Sequence, residues 1–337
     1  MFESDVFVCG GGPAGLATAI AARRRGLTVT LADGAHAPID KACGEGLMPD
    51  GILAAERLGI TFPLEDAHPF RGIRFISKGV TATGKFRSRG GLSIRRTVLH
   101  QTLAEHAARA GVKLLWGTPV TSLDQIRARW IVGADGENSR VRAWSGLEPS
   151  TPRRVRFGFR RHYQAAPWSD YVEVYWGPGF QLFLGAIAPD QICVTVVSKD
   201  PHLRVDQALT HFPDLRDRLA RCEILSAERG AITVTRRLPA VARGSVALIG
   251  DASGSVDAIT GAGVSLAFQQ ALALADALAL GRLDEYEAAH RRIMRPRRLM
   301  ANLLLAMDRW PEIGNRARQA LSRGPWLFEH LLALHVR

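Results

Sequence analysis

Residues 4–26 read SDVFVCGGGPAGLATAIAARRRG, and the way this stretch folds decides the architecture of the chain. SDVFVC is short, apolar and rich in β-branched and aromatic residues, which predicts a strand, while LATAIAARRRG has helical periodicity and stops at Gly26, a C-cap signal. Gly10, Gly12 and Gly15 then sit on a strand-to-helix turn, with Pro13 and Ala14 opening the helix. In such a turn the first glycine permits the tight bend and the second lets backbone N–H groups approach a pyrophosphate. The third lets helix pack on strand, and the helix N-terminus adds partial positive charge. With 33 glycines in the chain this spacing alone is weak evidence. A second strand, LTVTLAD, strengthens it by ending at Asp33, where a carboxylate can bind ribose hydroxyls. A dinucleotide site is expected.

Composition limits the alternatives. A chain of 337 residues with 47% hydrophobic content can bury a sizeable core. The apolar start does not read as a signal peptide, because Glu3 and Asp5 replace the basic leader region. No run reaches the roughly 18 uninterrupted apolar residues of a membrane span; VSLAFQQALALADALAL comes nearest and is broken by Gln269, Gln270 and Asp276. Cys9, Cys43, Cys193 and Cys222 show neither Cys-x-x-Cys nor metal-ligand spacing, so no structural disulfide and no metal site are expected, and the simplest location is cytoplasmic. The net charge of +12 suits an acidic partner. Nucleic acid is not expected to be that partner, since no helix-turn-helix, zinc-finger or aromatic-basic signature occurs.

After the opening unit, HAPIDKACGEGLMPDG is a loop dense in Gly, Pro and charge, followed by a short helix from about Ile52. GIRFIS and KFRSR read as strands, and TVLHQTLAEHAARAG as a helix capped by Thr97 and closed by Gly111. From Pro152 to Thr235 alternation dominates, as in YVEVYW, FQLFLGAI and QICVTVVS, which predicts a separate antiparallel sheet. GSVALIGDASG then returns to strand followed by loop and helix, and the Arg-rich tail is helical, with Pro296, Pro311 and Pro325 marking breaks. One α/β fold is thus interrupted by a sheet and resumed after it.

Two further motifs follow strands: GADGENSRVR from Gly133 and IGDASGSVDAITGAGVSLAFQQA from Ile249. With the first motif, and in this order, they resemble the FAD-dependent monooxygenases and reductases of the para-hydroxybenzoate hydroxylase and geranylgeranyl reductase type, over residues 5 to about 280. The resemblance implies a Rossmann-like FAD-binding domain (1–70, 92–150 and 236–282) interleaved with an antiparallel β-sheet substrate domain (71–91 and 151–235), plus a C-terminal helical segment (283–337). It implies FAD, bound non-covalently, with NAD(P)H as a transient reductant, since no second nucleotide motif occurs.

On this resemblance Gly250 and Asp251 meet the ribityl chain and pyrophosphate, and Asp251 can accept a hydrogen bond from a ribityl hydroxyl. Gly261, Ala262 and Gly263 open a helix whose N–H groups face the flavin ring edge. Arg96 matches an Arg-x-x-Leu facing the phosphates or ribityl chain, and Asp135 with Gly136 a pair linked to cofactor handling. KACGEGLMP resembles the loop over the isoalloxazine, which places Lys41, Cys43, Gly44 and Glu45 near the active site. Glu45 is a candidate proton shuttle or flavin-orienting carboxylate, and Cys43 a candidate thiol beside the ring. The chain departs from the family at Ala258, where Pro is common, and lacks the Trp-x-Trp-x-Ile-Pro of halogenases and the Pro-x-x-Tyr-x-Trp-x-Phe-Pro of archaeal lipid reductases.

The leading expectation is hydroxylation or oxidation of a biosynthetic intermediate with NAD(P)H and O2. Beside it stand C=C reduction of a prenyl or related lipid, tailoring of a peptide or carrier-protein-bound substrate, and a non-catalytic flavin-binding scaffold. Peripheral membrane contact through LMANLLLAM and WLFEHLLALHV is compatible with the second.

Overall fold

The computed structural model describes residues 3–77, 79–148 and 154–336. Its first strand, Ser4–Cys9, is the centre of a six-stranded sheet that also contains Val29–Ala32, Lys113–Leu115, Ala128–Gly133, Val246–Leu248 and the edge strand Ala242–Arg243. Every pairing in it is parallel except the edge pair. A parallel sheet must bury both faces, and its strands here read as apolar runs. Helices Pro13–Arg24, Arg96–Arg109 and Gly263–Leu280 pack together with the sheet around Leu16, Leu31, Leu103 and Leu274, all at 0% exposure. Each such side chain contributes about 1.5–3 kcal/mol by leaving water.

Helix Gly263–Leu280 has the length and composition of a membrane span, yet 56% of it is buried, and its neighbours are the helices Pro13–Arg24, Pro49–Arg57 and Leu283–Arg309. Here it is a core helix.

The second sheet joins Arg154–Gln164, Tyr171–Gly177, Phe180–Ala188 and Gln191–Ser198 to Gly72–Ser77 and Val80–Lys85, with Arg229–Thr235 and Glu223–Ile224 paired to its outer strand. It is antiparallel except where Tyr171–Gly177 meets Gly72–Ser77. The expected KFRSR strand lies instead at Val80–Lys85, which pairs antiparallel with Gly72–Ser77, Lys85 opposite Gly72 and Val80 opposite Ser77. A three-stranded sheet, Gly46–Leu47, Gly91–Ile94 and Ala67–Phe70, links the two larger ones. The boundary expected at 150/151 falls outside the described residues.

The tail forms helices Leu283–Arg309, Pro311–Arg323 and Pro325–His335. Pro311 and Pro325 occupy first helical turns, where a missing N–H costs nothing. Pro296 does not break its helix: the neighbouring turn is held by Arg297, buried against Asp50.

Helix Arg96–Arg109 starts one residue before the expected cap Thr97 and has no side-chain cap of its own. The Glu45 Oε1 oxygen accepts from the Arg96 N–H at 2.8 Å, so the cap is supplied from fifty-one residues away.

Candidate active site

A cavity of about 1240 Å³ runs from the first strand-to-helix turn, between the two sheets, to the C-terminal helices. Small-molecule sites commonly occupy about 300–1,000 Å³, so this one has room for a large cofactor and a substrate together.

At the nucleotide end, Gly10 has φ +111°, and a Cβ there would stand 2.5 Å from the Ala134 carbonyl oxygen, so only glycine fits. A Cβ at Gly15 would fall 1.9 Å from the Gly10 oxygen; this residue lets the helix approach the strand and does not line the cavity. A Cβ at Gly12 would meet no protein atom within 4 Å. That space above the N-terminus of Pro13–Arg24, a helix start with no side-chain cap, is a cradle open to an anion. Pro13 and Ala14 line it. Asp33 accepts from the Gly11 N–H at 2.6 Å and the Ala35 N–H at 2.8 Å, and each oxygen keeps lone-pair capacity for a ribose hydroxyl. Behind the turn, His100 shares a 2.8 Å hydrogen bond with the Gly11 carbonyl, and its burial lowers its pKa, keeping it neutral.

Across the cleft lie Gly250, at φ +61°, and Asp251. Lys41 Nζ reaches Asp251 Oδ2 at 3.3 Å. Gly261 is left-handed and Ala262 buried, so that Gly263 starts an eighteen-residue helix whose uncapped N-terminus faces the cavity. Arg96 lines the wall and leaves Nε without a protein partner. An open glycine cradle, two uncapped helix starts and an Arg96 Nε without a protein partner fit FAD. When bound, FAD supplies the hydride chemistry.

Asp135 is differently engaged. Its carboxylate accepts from the Ser139 hydroxyl and the Arg140 and Val141 N–H groups, at 2.5, 2.7 and 3.1 Å, and so caps the short helix Arg140–Trp144 while the residue borders the cavity.

Glu45 and Cys43 line the cavity from the loop that follows the second strand. Glu45 is not a solvated loop acid: it is 4% exposed and held at φ +59°, a strained conformation for a residue with a side chain. Its N–H donates to Cys43 Sγ at 3.3 Å. Arg160 Nη1 donates to Oε1 at 3.0 Å, and His162 Nε2 lies 2.8 Å from Oε2. Arg160 also grips Asp40 through both nitrogens, at 3.0 and 3.1 Å.

Arg160, His162, Cys193 and Thr195 were not expected at the site. Their signal was present but faint: Arg156, Arg160 and His162 share one face of an alternating strand, and all three are buried, against the usual order of apolar in and polar out. Arg156 pairs with Asp257 at 3.2 Å, beside Ala258 in the loop before helix Gly263–Leu280. Of the YVEVYW strand, Val172 and Val174 line the cavity, whereas Trp176 packs on Phe75 and the Tyr175 hydroxyl donates to Glu173. Met300, Leu303, Met307, Phe328 and Leu331 from the tail close the far end.

Fold and site together define a flavoprotein with one nucleotide domain and a sheet-walled substrate chamber. The chain is an FAD-dependent oxidoreductase, and its three motifs resemble those of the monooxygenase and reductase type. The FAD binding domain family matches residues 5–49. A digeranylgeranylglycerophospholipid reductase from Methanosphaera stadtmanae is 26% identical over 310 residues, 80% of this chain and 76% of that protein. Among solved structures, a flavoprotein/dehydrogenase from Cytophaga hutchinsonii superposes with a TM-score of 0.83 at 17% identity, covering 98% of this chain and 92% of that one. A 2-methyl-3-hydroxypyridine-5-carboxylic acid oxygenase superposes with a TM-score of 0.74 at 22% identity, covering 95% and 92%.

Proposed function

We propose that the chain reduces a C=C bond of a polyprenyl or related lipid, with FAD as cofactor and NAD(P)H as transient reductant. The observation that carries this reading is the far end of the cavity, where Met300, Leu303, Leu304, Met307, Phe328 and Leu331 surround the space beyond the cofactor cradle. Flexible thioethers and branched aliphatics suit a long, conformationally varied hydrocarbon, and these residues offer an aromatic acid or a peptide little to hydrogen-bond. The similarity to a prenyl-lipid reductase over four-fifths of the chain supports it as well.

The test is anaerobic. Holoenzyme reduced with one equivalent of NADPH or NADH is mixed with geranylgeranyl diphosphate in micelles while flavin absorbance is followed. Reoxidation without O2, with a product two mass units heavier, is the expected result. Reoxidation only on admitting 18O2, with one labelled oxygen in the product, would make the chain a hydroxylase and end the reductase reading.

A further inference from the structure

Outside the cofactor cradle, polar side chains form one continuous buried chain between cavity and surface. Cys193 and Thr195 line the cavity on the strand Gln191–Ser198, with Cys193 Sγ 3.5 Å from Thr195 Oγ1. The Cys193 thiol, a Glu45 oxygen and a His162 nitrogen lie within 4.8 Å of one another, all buried. His162 Nε2 meets Glu45 Oε2 at 2.8 Å, and on the opposite edge of the ring Nδ1 meets Ser226 Oγ at 2.9 Å. Ser226 is half-buried, so water reaches that end.

Such donor sets can hold a metal ion, but here each carboxylate oxygen is already engaged. Oε1 takes the Arg96 N–H and Arg160, and Oε2 takes His162. Arg160 beside the carboxylate also repels a second cation. The arrangement is suited to passing protons.

We propose that Ser226, His162 and Glu45 form a proton path from solvent into the cavity, with the Cys193 thiol as the group that delivers the proton. A histidine bonded on both ring nitrogens can accept at one and release at the other, and a carboxylate can swap its proton between two oxygens. Burial, and then the Glu45 carboxylate, push the Cys193 thiol well above its usual range, so it stays protonated until called on. The groups facing the pair are Arg160 on its own strand, Asp40 bridged to Arg160 and in turn to Arg229 from outside, Arg96 at the helix start, and Cys43 and Cys193 at the cavity.

The role of the path in catalysis rests on the reductase reading. A hydride, two electrons drawn from the nicotinamide donor through the bound cofactor, adds to one alkene carbon. The Cys193 proton adds to its neighbour, giving the saturated bond. The thiolate regains a proton from Glu45 and His162, which refill from water through Ser226, so that one hydride and one proton are consumed per bond saturated.

Two measurements separate the path from that reading. The first needs no lipid: the reduction potential of the holoenzyme is followed against pH. Reduction places negative charge in the cavity, so the wild type should take up two protons per two electrons over part of the range, and His162→Gln, which keeps amide hydrogen bonds but holds no proton, only one. Ser226→Ala, a milder change at the entrance, should keep the two-proton uptake. The same proton number in wild type and His162→Gln would overturn the proposal. The second is reoxidation by geranylgeranyl diphosphate. His162→Gln should slow it about 10²-fold, the low end of general acid–base effects, with NADPH-driven reduction of the flavin unchanged. Equal slowing of both half-reactions would assign His162 a structural role and overturn the path. If the lipid fails to reoxidise even the wild type, the alkene reading falls while the potential measurement still decides the path.

Discussion

Lys41 Nζ stands 3.3 Å from the Asp251 Oδ2 oxygen, joining the loop after the second strand to the Gly-Asp segment on the far wall of the cofactor cleft. Both side chains are nearly half exposed, at 46% and 44%, so the pair adds little to stability: exposed ion pairs contribute about 0–1 kcal/mol. The contact matters for where it puts the carboxylate. If Asp251 meets the ribityl chain, as the family resemblance implies, Asp251→Ala should remove a charge-assisted contact of about 1.5–3 kcal/mol, or roughly 10- to 150-fold in FAD affinity. The variant should purify partly as apoprotein and regain turnover with excess FAD. A full complement of flavin with collapsed turnover that FAD does not restore would instead make Asp251 a participant in the chemistry.

Gly12 and Gly15 should respond oppositely to a side chain. Gly12→Val projects into open space, so the thermal melt of the apoprotein should be unchanged while FAD retention is lost. Gly15→Ala drives a methyl against the Gly10 carbonyl oxygen and should lower stability before any ligand is present. Flavin content and the apoprotein melt, measured on both, check the assignment; a Gly12→Val protein that holds FAD normally would contradict it.

Asp50 and Arg297 form a buried ion pair that ties helix Leu283–Arg309 to helix Pro49–Arg57. Breaking a buried ion pair by removing one of its charges costs about 3–5 kcal/mol. Asp50→Ala and Arg297→Met should each lower the urea midpoint strongly, and the double variant should recover part of the loss. Additive losses would show that the two residues act independently.

Two buried histidines give the protein an acid limit. Burial pushes His290 down to about 3 and His335 down to about 4, against 6.5 for an exposed ring. Because the folded values lie below the unfolded one, the unfolded chain binds more protons at acid pH. The stability is full above pH 6.5 and is lost as pH falls toward 4, by up to about 1.4 kcal/mol per pH unit for each histidine. His335 Nε2 lies 3.2 Å from the Thr260 carbonyl in the loop before helix Gly263–Leu280, so FAD affinity of the folded protein should weaken only as pH approaches 4, where this ring itself takes up a proton. Urea titrations at pH 7.5, 6 and 5 check the loss of stability, and His335→Gln should flatten the dependence.

The nucleotide half of the fold was legible because its physics is local. A strand, three glycines and a helix lie within Ser4–Arg24, and Asp33 follows by chain geometry alone. The Gly250–Gly263 segment is readable for the same reason: the left-handed Gly261 and the helix it precedes are neighbours in sequence. Glu45 was legible as a candidate proton shuttle or flavin-orienting carboxylate, but its partners were not. Its partners Arg160 and His162 stand 115 and 117 residues away on a strand of the other sheet, and no local pattern states that pairing.

By itself, then, the sequence determined the strand-turn-helix cradle, the order of the three cofactor segments and the presence of a second sheet, each set by backbone conformation and period-2 or 3.6 patterning over a few residues. Only the tertiary structure decided that Glu45 caps a distant helix while contacting His162, that Asp135 spends its carboxylate on a turn, and that the tail helices close the cavity. Those outcomes depend on burial and on which charges meet inside it, and an unpaired buried charge is costly enough that the fold must bring its partners together from wherever they lie in the chain.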